Sequence, residues 1–324
     1  MVRLGWVRLL RPGRRSRRRG RFASLLVILL CIGLFALGEA APQWPVLDVL
    51  RQFRLQLGLG MGAFALAFLM PRARVLSGIV LFILGLIAVG IWPQLHSDRP
   101  DEIAAIVGAR AVKVMSFNMS VLNRRLDLVE AEVRRIDPDI LTLVEMGPEQ
   151  LALMDRLKAR YPFTTDCREV PGCYFAILSR FPFRDLAVER DWRSGPFLAV
   201  RFGPELDGLA VFGVHTLRFP HVKEQLIQYR TLAARIRGIA GAKIVMGDFN
   251  ATGFSSGLAR FARESGLRRR TWLPSWPSVA RLPQLGIDHV FTSESVTPLT
   301  PGRIGRYAGS DHYPIYISLA VPVP

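Results

Sequence analysis

Five short segments between Ser116 and Pro314 share one design: a run of apolar, strand-forming residues that ends on a polar side chain. They read Ser116-Phe117-Asn118, Leu143-Val144-Glu145, Gly213-Val214-His215, Gly247-Asp248-Phe249-Asn250 and Ser310-Asp311-His312-Tyr313-Pro314. A short apolar run bounded by turn residues reads as a buried strand. Several such runs ending alike predict strand ends that converge on one polar place.

The intervening stretches support this. Strands are predicted over 112–117, 140–144, 174–178, 197–202, 209–214, 242–246, 289–292 and 315–320. Amphipathic helices are predicted over 126–135, 149–161 and 222–237. The Asp137-Pro138-Asp139 turn stops the first helix, because proline disfavours helical geometry in the residue before it. Strands and helices mixed in this way predict two layered sheets with helices outside.

The first hundred residues are different. They hold 14 Lys and Arg against 3 Asp and Glu, whereas 101–324 hold 29 against 23, so most of the net charge of +17 is N-terminal. That basic balance alone does not select nucleic acid, because a basic arm also binds anionic lipid headgroups. Nine arginines lie between Arg3 and Arg21, followed by apolar runs at 22–38, 55–70 and 75–92. Each run is near the lower limit for crossing a ~30 Å hydrocarbon core. Three in succession, flanked by Arg54, Arg72, Arg74 and Trp92, predict an N-terminal transmembrane helical region. The organisation expected is a basic cytoplasmic arm at 1–22, a membrane region of about three helices at 23–95, a linker at 96–110 and a catalytic domain at 111–322. Arginine placement keeps the arm inside and puts the domain on the extracytoplasmic (periplasmic) side of a plasma membrane. A cleavable signal peptide ending near Gly38-Glu39-Ala40-Ala41 is the competing reading, and it leaves the domain in the same compartment.

Of the three cysteines, Cys31 falls in the first apolar run. Cys167 and Cys173 bracket a short Pro-Gly loop and read either as a disulfide or as two thiols.

Breaking a phosphoester requires charge neutralisation at the non-bridging oxygens, an aimed and activated water, and a stabilised leaving oxygen. Hard cations such as Mg²⁺ take oxygen ligands, and Glu145 at its strand end suits that role. Alone it reads equally as a solvated carboxylate, as Asn118 reads as a turn cap. Gly247 permits close backbone approach, and Asp248 and Asn250 project to one side.

Taken in order, the five segments resemble the endonuclease/exonuclease/phosphatase family, in particular its bacterial membrane-anchored members. The resemblance implies a four-layer α/β/β/α sandwich with the site at one end and a Mg²⁺ or Mn²⁺ cofactor. It makes Glu145 and Asp311 metal ligands, and Asn118 and Asn250 groups that bind phosphate or orient the metal shell. Asp248 would position or deprotonate water, His312 would bond the phosphate or move a proton, and Asp288 would orient His312. His215 matches members that carry a histidine acting on the leaving group, where others carry tyrosine. His289 reads as a structural or rim residue, and Arg180, in a Ser-Arg-Phe-Pro run, as structural.

Arg268, Arg269, Arg270, Trp272 and Trp276 read either as a phosphate-and-base grip or as a solvated run with loop anchors. The expected activity is hydrolysis of a phosphodiester, in nucleic acid or a lipid headgroup, at a membrane bilayer. The alternative is an inactive phosphoesterase-fold domain serving as a receptor or scaffold. The complete set of site residues favours the enzyme.

Overall fold

The computed structural model describes residues 14–40, 44–64, 108–167, 174–189, 193, 195–278 and 285–324. From Ala109 onward it is built on two mixed sheets. The first carries β1 (Ala109–Asn118), β2 (Ile140–Val144), β3 (Phe163–Asp166), β4 (Phe175–Ser179), β11 (Thr297–Pro298), β12 (Arg303–Ile304) and β13 (Ile315–Pro322). Its order is β11-β13-β1-β2-β4-β3, with β12 beside β13. The second carries β5 (Phe183–Glu189), β6 (Phe197–Phe202), β7 (Ala210–His215), β8 (Lys243–Asp248), β9 (Arg268–Arg269) and β10 (Asp288–Thr292), in the order β5-β6-β7-β8-β10-β9.

Each sheet holds one parallel pair joined by a helix. In the first, α4 (Leu126–Ile136) connects β1 to β2. In the second, α6 (Val222–Arg237) connects β7 to β8. Parallel neighbours require such a crossover, and their carboxyl ends are where open α/β sheets bind ligands. Asn118, Glu145, His215 and Asp248 stand at the carboxyl ends of these four strands.

Three apolar layers hold the fold. Alternate residues of both sheets, among them Val112, Ile177, Val200, Ile244, Val290 and Ile317, pack between the sheets. Met115, Phe117, Leu141 and Leu143 pack against Val129, Val133 and Ile136 of α4. On the other side, Phe212, Val245 and Phe291 meet Tyr229, Leu232 and Ile236 of α6 and Phe261 of α7 (Ser256–Ser265). The result is the helix–sheet–sheet–helix layering expected, since each strand alternates its side chains between two buried faces.

The predicted elements appear within three residues. The exception is the helix expected over 149–161, which is a 3₁₀ turn at Pro148–Gln150 followed by α5 (Ala152–Leu157). Gln150 folds back, accepting from the Gly147 N–H and donating to the carbonyls of Ser120 and Asn123. It ties the β1–α4 loop to the segment after β2 at the site end instead of extending a helix.

The N-terminal helices are α1 (Arg14–Glu39), α2 (Asp48–Gln52) and α3 (Arg54–Phe64). Among the described residues, no helix is long and apolar enough to cross a membrane. The apolar part of α1 runs from Phe22 to Gly38, about 26 Å at 1.5 Å per residue, short of a ~30 Å core. The second apolar run is seen only to Phe64, and its remainder and the third run lie outside the described residues, as does Cys173. Instead of standing apart, α1 packs against α2 and α3. Gly38 makes the approach possible: a Cβ there would lie 3.2 Å from the Arg51 amide nitrogen. Phe22, Leu26, Leu29, Leu30 and Leu37 of α1 stay exposed. Cys167 is disulfide-bonded, whereas Cys31 is free.

Candidate active site

Register builds half of the site. Asp248, the last residue of β8, is paired across the sheet with His215 of β7 on one side and Asp288 of β10 on the other. The row is crowded because β8 runs through Gly247, whose φ is 149° and whose Cβ, were there one, would overlap the Val214 carbonyl. Only glycine lets β8 lie this close to β7.

The first sheet supplies the other half. Asn118 ends β1, and Glu145 follows β2 with a left-handed φ of 55°. That conformation is costly for a residue with a Cβ, and it bends the chain as it leaves the strand. Across the gap between the sheets, the Asn118 Nδ2 donates to Glu145 Oε1 and to Asp248 Oδ2, at 3.0 Å each. His215 Nε2 lies 3.5 Å from the same Glu145 oxygen and 3.7 Å from the same Asp248 oxygen.

His312 comes from the turn before β13. Its Nδ1 is 2.8 Å from Asp288 Oδ2, and its Nε2 is 3.7 Å from Asp248 Oδ2. Ser310 holds that turn in place, donating to the Asn118 carbonyl at 2.7 Å and accepting from the His312 N–H at 3.0 Å. Asn250, also left-handed (φ 47°), gives its backbone N–H to Asp248 Oδ1 and its side-chain amide to the Thr216 carbonyl.

Electrostatics follow from burial. Desolvation pushes the Asp248 carboxyl up to about 6, with Asp288 adding to the rise and the two histidines opposing it. Burial pulls His312 down, but Asp288, by charge and hydrogen bond, together with Asp248 and Asp311, carries it up to about 10. This rise favours the charged imidazolium, with Nδ1 directed at Asp288 and Nε2 facing the gap.

Among the described residues, two donor groups could hold a cation. Ligand atoms of Glu145, His215 and Asp248 all lie within 4.8 Å of one another, as do those of Asp248, Asp288 and His312. Asp288 Oδ1 is buried and has no hydrogen-bond partner among the described residues. Carboxylate oxygens dominate the set, which fits a hard divalent ion better than a soft one.

Seven of the eight expected site residues thus converge. Asp311 joins neither group. It is exposed, and its Oδ2 accepts from the Trp276 indole at 3.3 Å. Asn118, expected near phosphate or the metal shell, directs its amide at the two carboxylates. His289 is a buried structural residue: its Nε2 bonds the Ala251 carbonyl at 2.8 Å, and burial depresses it to about 3. Arg180 pairs with Asp137 and Asp139.

The arginine–tryptophan cluster disperses. Arg270 is buried against Thr292 and the Val296 carbonyl, Arg268 pairs with Glu294, and Arg269 lies 4.5 Å over Trp272. Sequence reasoning passed over the residues that fix the Asp248–Asn250 turn. Thr216, Gln225 and Tyr229 all direct donors at the Phe249 carbonyl. Their one signal was polar side chains, Gln225 and Tyr229, four residues apart on the buried face of α6.

This chain belongs to the Endonuclease/Exonuclease/phosphatase family, whose sequence profile matches residues 115–312. Its fold is that of the family's phosphoesterases. Among solved structures it is similar to an endonuclease/exonuclease/phosphatase from Beutenbergia cavernae DSM 12333, at 18 % identity over 66 % of this chain and 72 % of that one, with a TM-score of 0.53. It is similar to D. rerio TDP2 complexed with a single strand DNA product, at 18 % identity over 64 % of this chain and 98 % of that one, TM-score 0.53. A mutant Staphylococcus aureus beta toxin with bound magnesium ions aligns at 16 % identity over 64 % and 99 %, TM-score 0.50. At these identities the shared property is the fold. No curated protein matches the chain.

Proposed function

We propose that this protein is a divalent-metal-dependent hydrolase of phosphoesters that works at a membrane surface. The observation that carries the reading is the meeting of Asn118, Glu145 and His312 from one sheet with His215, Asp248 and Asp288 from the other, His312 pairing with Asp288 across the gap.

Glu145 would hold Mg²⁺ or Mn²⁺, with Asp248 and His215 beside it. Asp311, expected to complete the shell, would have to turn from Trp276. The bound ion would supply charge neutralisation at the phosphate's non-bridging oxygens. Asp248, poised near neutrality by burial, accepts the proton of the attacking water; a base works best when its pKa is close to the working pH. Asn118 keeps the Glu145 and Asp248 carboxylates at a fixed separation. His312, held charged by Asp288, donates through Nε2 to a phosphate oxygen, while His215 and Asn250 bound the remaining sides.

The surroundings favour a lipid headgroup over nucleic acid. Leu122 (79 % exposed), Val121, Tyr174, Phe219 and Tyr307 protrude from loops next to the site segments. Asn123 and Gln150 lock the Val121–Leu122 and Tyr307 loops to the segment around Gln150 through the Ala308, Ser120 and Asn123 carbonyls. The aliphatic tips Val121 and Leu122 suit an acyl interface, and the aromatic rings of Tyr174, Phe219 and Tyr307 suit the headgroup boundary above it. The exposed leucines of α1 and the arginine-rich arm supply a second membrane contact. Placement of the domain outside the cytoplasm belongs to the same reading, and a C-terminal reporter active only outside would check it.

The test uses the full chain in detergent, with Mg²⁺ or EDTA, on phospholipid vesicles, plasmid DNA, RNA and soluble phosphodiester and phosphomonoester chromogens. Metal-dependent hydrolysis, fastest on vesicles and lost in Asp248→Ala and His312→Ala, is expected. Faster cleavage of DNA or RNA would replace the lipid assignment. A folded, metal-free, inert protein would favour the scaffold alternative.

A further inference from the structure

The N-terminal helices do more than adjoin the domain. Asp48, the first residue of α2, is 6 % exposed and sits at the start of α7, some two hundred residues away in sequence. Its Oδ2 accepts from the Ser255 hydroxyl at 2.5 Å, and its Oδ1 accepts from the Ser256 N–H and hydroxyl at 2.7 Å each. Ser255 is itself the N-cap of α7, accepting from the Leu258 N–H at 3.1 Å. Asp48 therefore receives the proton that Ser255 has left to give, along with a helix N–H that has no partner inside the helix.

Two neighbours repeat the connection. Gln52 Oε1 accepts from the Thr252 N–H at 3.2 Å. The Arg54 guanidinium lies between the rings of Phe35, at 5.2 Å, and Phe254, at 5.9 Å. All of these contacts land on residues 252–256, the loop that leaves Asp248 and Asn250. A cavity of about 90 Å³, lined by Gln52, Leu55, Thr252, Phe254 and His289, opens along the seam. Polar pins, rather than continuous packing, hold the two parts together there.

We propose that Asp48 is a positioning residue for the site: it clamps the 251–256 loop and thereby the Asp248–Asn250 turn, so that the geometry of the site depends on the N-terminal helices being docked. The proposal rests on the reading of Asp248 and Asn250 given above. A buried carboxylate with three charge-assisted donors is strongly held. Undocking would leave the Ser256 N–H and the Ser255 hydroxyl without their acceptor and loosen the turn that carries the proton acceptor. A displacement of about 1 Å at such a turn suffices to slow a reaction by about a hundredfold. Whatever moves α1–α3, a lipid surface included, then acts on the site.

The experiment uses the full chain in detergent with Mg²⁺ and four variants: Asp48→Ala, Asp48→Asn, Ser256→Ala and the Asp48→Ala/Ser256→Ala double. Hydrogen exchange is followed by peptide, and kcat and KM are measured on a soluble phosphodiester that needs no membrane. In Asp48→Ala, exchange should rise over 251–258 and not in β1 or β2. kcat should fall about tenfold or more with KM within about twofold. Asp48→Asn, which keeps one acceptor, should recover part of the rate. Ser256→Ala, the milder change should Asp48→Ala fail to fold, should show the same pattern in smaller degree. The double variant should be no slower than Asp48→Ala. Unchanged exchange over 251–258, or faster exchange with unchanged kcat, would overturn the proposal. If the wild type hydrolyses no phosphoester, the reading of the site fails, and exchange then decides the clamp alone: a rise supports it and no change overturns it.

Discussion

His312 Nδ1 and Asp288 Oδ2 are 2.8 Å apart, both nearly sealed from solvent, one from the turn before β13 and the other from the start of β10 in the opposite sheet. The pair fixes which nitrogen of the imidazole faces the site. It also makes the charge of His312 a property of the folded state.

That charge has a pH signature. The folded pKa of about 10 is above the ordinary value of 6.5. The stability it contributes is therefore fully present below about 6.5 and lost as pH rises through about 10. Denaturant midpoints of the EDTA-treated protein should fall over that interval. In Asp288→Asn the fall should be shallower, and kcat should drop by about 10²-fold or more. Midpoints with the same pH slope in both proteins would refute the assignment.

Asn118→Ala removes the amide shared by Glu145 and Asp248. Glu145 Oε1 and Asp248 Oδ2 then lose the amide they share, at a cost of about 1–3 kcal/mol. Added Mg²⁺ should recover stability more strongly in this variant than in the wild type, because the ion replaces the lost positive partner. Thermal melts with and without Mg²⁺ would read the difference.

Glu145 adopts φ 55°, so Glu145→Gly should relieve backbone strain and stabilise the metal-free protein by about 1 kcal/mol. The same change should abolish Mg²⁺-induced stabilisation and activity. Opposite signs for stability and function at one position would mark strain kept for a ligand. A destabilised variant that still responds to Mg²⁺ would contradict it.

Gly247→Ala should be far more damaging than its size suggests. The new methyl group would overlap the Val214 carbonyl, and φ 149° is closed to alanine. A loss of about 3 kcal/mol or more is expected, with β7 and β8 forced apart, measurable by urea unfolding.

Metal binding should weaken as pH falls. Burial holds the proton on Asp248 up to about 6, so protons compete with the ion below that value. Calorimetric Mg²⁺ titrations at pH 5, 6 and 7.5 should show affinity rising in that order, and a flat profile would remove Asp248 from the ion's surroundings.

Much of the domain could be read in the chain because its information is local. Val112–Phe117, Ile140–Val144 and Ile244–Met246 are short apolar runs with polar ends, and α4 and α6 show helical periodicity. Asn118, Glu145, His215, Asp248 and His312 were likewise visible in the five segments, and Asp288 only through the family resemblance. What stayed hidden depended on which distant surfaces meet. Gln150 broke an expected helix because its amide is needed by the Ser120 and Asn123 carbonyls. Asp311 turned to Trp276, and Arg270 to the Val296 carbonyl, since each found its partner only after the strands had paired. Asp48 lay in a segment legible only as part of an apolar, arginine-flanked region, and its acceptors meet Ser255 and Ser256 by docking, not by sequence. Periodicity and strand-end chemistry are written in neighbouring residues, and so the sequence by itself determined the alternation of strands and helices and the polar residues at the strand ends. Hydrogen bonds between side chains far apart in the chain have no local trace, and so only the tertiary structure decided which carboxylate faces which donor.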